Sequence, residues 1–277
     1  MNSWLEVHEG TGPVIVSFPH TGTDLGGVME GRFVSTWLAR RDADWWVDRL
    51  YDFVSQFGAT TIRTRISRTV IDVNRDPSGA SLYPGLATTE LCPTTTFDGD
   101  PIYRPDCLPH EAEIAARREQ FFEPYHRAIA SQITRLRNRY AAVVLYDAHS
   151  IRSRIPRLFG GLLPHFNIGT YGGASCDPGL TREMESRCNH PAFSRVTNGR
   201  FKGGWTTRRY GNPAGGVHAV QMELAMRGYV RERDGPVEAD SWPPPYDPEF
   251  ASPIRAILRD VVQACDRFAR TATERNT

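Results

Sequence analysis

Two histidines stand where apolar segments run out. Val14-Ile15-Val16-Ser17-Phe18-Pro19 leads into His20, and Ala141-Ala142-Val143-Val144-Leu145-Tyr146 leads into Asp147-Ala148-His149-Ser150. Each run is expected to be a buried strand. Ligands of an open α/β sheet bind beyond the carboxyl ends of its strands, so both imidazoles are expected at one crevice. A hydrogen-bonded histidine at a strand end accounts for either one alone. The pair suits a metal, because neutral imidazole is the commonest metal ligand. Two His and one carboxylate make an established catalytic zinc set, and the candidates for the carboxylate are Asp24, Asp42, Asp44 and Asp147. Asp42 and Asp44 also fit an N-cap, and Asp147 fits a group that orients a ligand histidine from behind.

Glu223 is a lone acid in an apolar stretch. A partly buried Glu has a raised pKa and can act as general base on water; on a half-buried strand it could equally face solvent. Arg75, beside Asn74, can hold a substrate carboxylate by a bidentate pair. Arg68 lies upstream in the same stretch, and Arg208 lies in the irregular Gly204–Gly211 segment. Arginines near strand ends suit a small anionic substrate.

These residues need a frame. A strand near 13–19 is followed by a helix from about Arg40 to Phe57, ended by Gly58. Ala59 to Ile66 and Arg68 to Val73 read as two strands, rich in Ile, Thr and Val. Residues 76–109, rich in Pro, Gly, Ser and Thr, read as a long functional loop and as the lid. Glu111 to Tyr140 is helical with a bend near Pro124. The strand at 141–147 follows, then an irregular stretch over 150–177, a short helix near 178–188 and a weak strand near 193–197. Gly215 to Leu224 is a further strand. Asp247-Pro248-Glu249 opens a C-terminal helix with an N-cap, a proline at N1 and an acid in the first turn. Strands alternating with helices imply an α/β sheet covered on both faces, and with no linker evident residues 1–277 read as one domain.

The 277 residues are 40% hydrophobic and 23% charged, with net charge +1. That suits a globular core and gives no electrostatic case for nucleic acid or an acidic membrane. No run approaches the roughly 20 apolar residues that span a bilayer. The N-terminal residues lack the basic and apolar regions of a signal peptide. Cys92, Cys107, Cys176, Cys188 and Cys265 form no CxxC pair, so a reducing cytoplasm is expected. A phosphate loop and a GxSxG nucleophile elbow are both missing.

Several segments, in order, are similar to a known family. They are Ser17-Phe18-Pro19-His20-Thr21-Gly22, Asp42-Ala43-Asp44-Trp45, Ser67 to Arg75, Asp147-Ala148-His149-Ser150, Gly203-Gly204-Trp205-Thr206-Thr207-Arg208 and Gln221-Met222-Glu223-Leu224. The chain resembles the N-formylglutamate amidohydrolases. The resemblance implies a three-layer α/β sandwich, with a mixed, mostly parallel sheet similar to that of zinc carboxypeptidases and aspartoacylases. It implies hydrolysis of N-formyl-L-glutamate to formate and L-glutamate in histidine degradation, with a divalent metal, zinc. On this resemblance His20, Asp44 and His149 hold the metal, with Asp42 in reserve. Glu223 is the base, Arg68 steadies the oxyanion, and Asn74, Arg75 and Arg208 hold substrate. Two positions depart from the pattern: Thr23 stands where carboxypeptidases place a Glu three residues after the first His, and Arg209 stands where a His is expected. The alternatives are another N-acyl amino acid, such as N-formyl or N-acetyl aspartate, and a non-catalytic metal or amino-acid binder.

Overall fold

A computed structural model describes residues 4–233 and 235–274. Its strands are β1 (Leu5–His8), β2 (Val14–Phe18), β3 (Thr60–Thr64), β4 (Val143–Ile151), β5 (Phe166–Gly169), β6 (Arg195–Thr197) and β7 (Val217–Ala225). They form one mixed sheet in the order β1-β3-β2-β4-β7-β5-β6. Strands β3, β2, β4 and β7 run parallel, as do β5 and β6. β1 pairs antiparallel with β3, and β5 antiparallel with β7. The helices are α1 (Thr36–Arg40), α2 (Val47–Leu50), α3 (Glu111–Arg117), α4 (Glu123–Arg137), α5 (Pro178–Arg187), α6 (Trp205–Tyr210) and α7 (Pro248–Glu274).

Side chains alternate across a strand, and the two faces of this sheet differ. On one face Val14, Val16, Phe18, Val144, Tyr146, Ala148, Val220, Met222 and Leu224 pack with α2, α5 and α7. On the other, Ile15, Val143, Leu145 and Ala219 pack with α4 and with Trp205 and Tyr210 of α6. This second face changes character along the strands. Past its apolar residues the same alternation brings Ser17, Asp147, His149, Gln221 and Glu223, all buried. Register sets them side by side: Ser17 opposite Asp147, Asp147 opposite Gln221, His149 opposite Glu223.

Several expected elements differ. The helix expected over Arg40–Phe57 is broken into the end of α1, α2 and a 3-10 turn over Asp52–Phe57. Trp46 takes a left-handed φ of 66° between them and makes no side-chain cap bond, so neither Asp42 nor Asp44 is the N-cap there. In an unbroken helix residues two apart point to nearly opposite sides. Asp42 and Asp44 instead reach separate partners inside the protein. Residues 68–73 form turns, not a strand: Val70 N bonds Ser67 O, and Asp72 N bonds Leu91 O. Their β-branched side chains reflect burial in the core rather than ladder pairing. Strand β5 lies within the stretch read as irregular, α6 within the segment read as a loop, and β1 had no counterpart in the pattern. The bend near Pro124 is present as a π-turn over 118–122 leading into α4, where the proline offers no N–H to an ordinary turn. Asp247 caps α7, its Oδ1 accepting from the Glu249 and Phe250 amides.

Candidate active site

The parallel strands β2 and β4 end side by side, and this delivers the two histidines to one place. His20 follows β2 and His149 lies near the end of β4, with Nδ1 atoms 3.1 Å apart. Asp44 reaches the same point from the α1–α2 connection, which the Asp44 N to His20 O bond of 2.9 Å holds against β2. Its Oδ2 lies 3.2 Å from His149 Nδ1 and 3.8 Å from His20 Nδ1, and it accepts from the Ser150 amide at 3.1 Å. Asp44 Oδ1 is buried with no hydrogen-bond partner; Arg68 Nη1 stands 3.6 Å from it.

Behind each histidine is a second carboxylate. Asp72 Oδ1 lies 2.7 Å from His20 Nε2, and Asp147 Oδ2 lies 2.8 Å from His149 Nε2. Carboxylates only accept, so these contacts assign the Nε2 hydrogens and turn both Nδ1 atoms inward. Donors bound at 2.0–2.1 Å around a tetrahedral cation stand about 3.3 Å apart. The spacings among His20, Asp44 and His149 bracket that value, and the three residues form a group able to hold a metal ion. The outer carboxylates supply the orienting contacts that metal-bound histidines use. The residues present therefore fit a divalent cation.

The electrostatics agree with a centre built for positive charge. Burial pushes His149 downward, but Asp147 and Asp44 outweigh it and hold its pKa well above the ordinary value. His20 is lowered, by burial first and then by Arg68. Burial would raise Asp44 and Asp72, yet the histidines and Arg68 keep both carboxylates low. Glu223 goes the other way: burial, with the Asp44 charge added, raises it to about 7 against the opposing His149 and Arg68. Gln221 Nε2 donates to Glu223 Oε2 at 2.9 Å and fixes that carboxyl group.

The remaining residues divide into those at the centre and those set back. Arg68 donates to Asp72 Oδ2 at 2.6 Å and lies over the Phe97 ring, 4.8 Å from its centroid. Asn74 donates to Asp147 at 3.0 Å and accepts from the Thr206 amide at 2.8 Å. This clamp leaves no room at Gly204, where a Cβ would fall 2.4 Å from Asn74 Nδ2. Arg75 is bonded to Thr89 and stands 3.6 Å from Asp72. A cavity opens over the centre, and its lining includes His20, Arg68, Asn74, Arg75, His149 and Glu223. Arg208 is not in that lining; its guanidinium rests against Tyr83 and Tyr171, and Nε donates to Gly203 O. Asp42 turns away, accepting from the Phe97 amide at 2.6 Å, and Asp24 is exposed on the surface. Arg209 is also exposed.

Sequence reasoning missed Asp72, Gln221 and Arg200 as site residues. Alternation back from Glu223 was a usable signal for Gln221. Asp72 and Arg200 lie on turns and loops, where no period points a side chain. From the loop read as the lid, Tyr83, Thr89 and Phe97 reach the cavity wall.

The N-formylglutamate amidohydrolase family model matches residues 12–230. The N-formylglutamate deformylase of Pseudomonas putida is 40% identical over 265 residues, covering 95% of this chain and 96% of that protein. The N-formylglutamate deformylase of Pseudomonas aeruginosa is 42% identical over 271 residues, covering 98% of each. Among solved structures, N-formylglutamate amidohydrolase from Ralstonia eutropha JMP134 superposes with a TM-score of 0.76 at 24% identity, over 99% of this chain and 100% of that one. A protein from Agrobacterium tumefaciens gives a TM-score of 0.70 at 18% identity, over 95% and 94%. These two structures speak for the fold.

Proposed function

Because the chain belongs to the N-formylglutamate amidohydrolase family, we propose that it hydrolyses N-formyl-L-glutamate to formate and L-glutamate. The observation that carries this reading is the meeting of His20, Asp44 and His149 beside Glu223 at the floor of an arginine-lined cavity. His20 and His149 would hold a divalent metal through Nδ1, and Asp44 through its carboxylate. Zinc is the ion that two His and one carboxylate suit best, and when bound it acidifies water and polarises a carbonyl.

The chain's own groups account for the rest. Glu223, with a pKa of about 7, takes the proton from the attacking water and returns it to the leaving amine. Arg68 faces the oxygen of the formyl group as it gains charge; its two carboxylate partners hold the guanidinium in place. Arg75 receives a substrate carboxylate. Asn74, engaged with Asp147 and Thr206, aligns Arg75 with the centre, and Arg208 supports the cavity through Tyr83. The 76–109 loop closes over the substrate.

Formate release from N-formyl-L-glutamate tests this reading, measured on metal-stripped protein before and after zinc is restored. Release that returns with zinc is the expected result. No release with zinc or any other divalent ion would overturn the reaction.

A further inference from the structure

The arginines of the cavity are not equivalent. Arg68 is paired with Asp72 and Asp44, and Arg75 stands beside Asp72. Arg200 also lines the cavity, half-buried, and has no carboxylate partner among the described residues. Backbone carbonyls hold it instead: Nε donates to Leu158 O and Nη2 to Ala87 O, each at 2.8 Å. Tyr83 and Phe201 flank the guanidinium, both with centroids 5.3 Å from Cζ. Tyr83 in turn fixes the loop that carries Arg200, donating to Gly203 O and accepting from Lys202 N. Arg200 is therefore pre-positioned, with Nη1 bonded to no described residue and no direct ion pair to a described carboxylate, the Glu223 charge acting on it only from a distance. Burial and the Arg75 charge lower its pKa, a cost that an incoming anion would relieve.

Position separates the two roles. Arg75 belongs to the Asp72–Arg75 run, whose side chains touch His20 and His149. Arg200 hangs from Ala87 and Leu158, segments that bond neither histidine. In N-formylglutamate the α-carboxylate adjoins the formamide nitrogen, and the side-chain carboxylate lies further along the chain. Resting on the hydrolysis proposed above, we infer that Arg200 binds the distal, side-chain carboxylate and makes the enzyme selective for acidic over amide side chains, while Arg75 binds the α-carboxylate.

The test uses full-length, metal-loaded protein with N-formyl-L-glutamate and N-formyl-L-glutamine, which differ only at the distal group. In Arg200→Gln the ratio of the two kcat/KM values should fall about 10- to 100-fold, as expected for loss of a charged hydrogen-bonded pair. In Arg75→Gln both values should fall and the ratio hold. A ratio unmoved in Arg200→Gln, or one that collapses in Arg75→Gln instead, overturns the assignment. Should Arg200→Gln fail to fold, Arg200→Met, which keeps an unbranched stem without the charge, reads the same ratio: a fall supports the assignment and constancy overturns it. Calorimetric binding of glutarate against its monoamide reads the contact without turnover. Loss of the dicarboxylate preference in the Arg200 variant supports the assignment, and its retention overturns it. A wild-type protein that releases no formate overturns the reaction alone, and the calorimetric comparison still decides Arg200.

Discussion

Asp44 and Glu223 are both buried acids within reach of His149, yet their surroundings suit them to the opposite tasks proposed for them. Two histidines and Arg68 hold the Asp44 carboxyl low, which suits the metal ligand proposed above. Burial raises Glu223 to about 7, which suits the proton carrier proposed above. Their variants should separate. Asp44→Ala should lose tight zinc binding, read by metal content after dialysis. Glu223→Gln should keep the metal and lose kcat by roughly 10²- to 10⁴-fold. Near-normal turnover in Glu223→Gln would remove it as the base, and full zinc at ordinary affinity in Asp44→Ala would move the ligand role elsewhere. The histidines were legible because each closes an apolar run. The preference for Asp44 over Asp42 came from the family resemblance, because spacing alone left both open. In the structure it rests on a left-handed residue, Trp46, and on the Phe97 amide that draws Asp42 away.

At the scale of elements, the site depends on segments that are not strands. His126 on α4 joins three of them. Its Nε2 donates to Val73 O at 2.8 Å, and its Nδ1 lies 3.0 Å from the Tyr210 hydroxyl of α6. Burial lowers its pKa from 6.5 to about 4. The unfolded chain therefore takes up a proton below pH 6.5 while the folded protein does not, and stability falls with pH until about 4. The loss from this one group should approach about 3 kcal/mol. Urea midpoints of wild type and His126→Gln should differ in slope over that window, with the variant flatter; parallel curves would show that His126 does not couple protonation to folding. The helical period of α7 and the apolar runs of β2 and β4 were readable because burial repeats along them. The turns of Ser67–Arg75 were not, because a buried irregular segment and a buried strand call for the same β-branched residues.

Across the whole molecule, the sheet separates stability from chemistry. One face is apolar along its length and packs on α7, where Leu258 is fully buried. The other carries the polar row from Ser17 to Glu223. Leu258→Ala should cost about 2–5 kcal/mol in unfolding free energy, while zinc affinity and kcat/KM per folded molecule stay within about twofold; a selective loss of metal would show that the faces are coupled. Among the described residues no helix is long and apolar enough to cross a membrane, in keeping with the sequence pattern. By itself the sequence determined that the β2, β4 and α7 segments are buried, that His20 and His149 close two of them, and the ordered motifs that mark the family. These are local properties, written in composition, period and spacing. Only the tertiary structure decided that Asp42 turns away to the Phe97 amide, that Asp72 stands behind His20, and that Arg200 enters the cavity while Arg208 stays outside its lining. Such contacts join residues tens of positions apart, often on turns, and their partners are set by strand order and loop path rather than by any repeat in the chain.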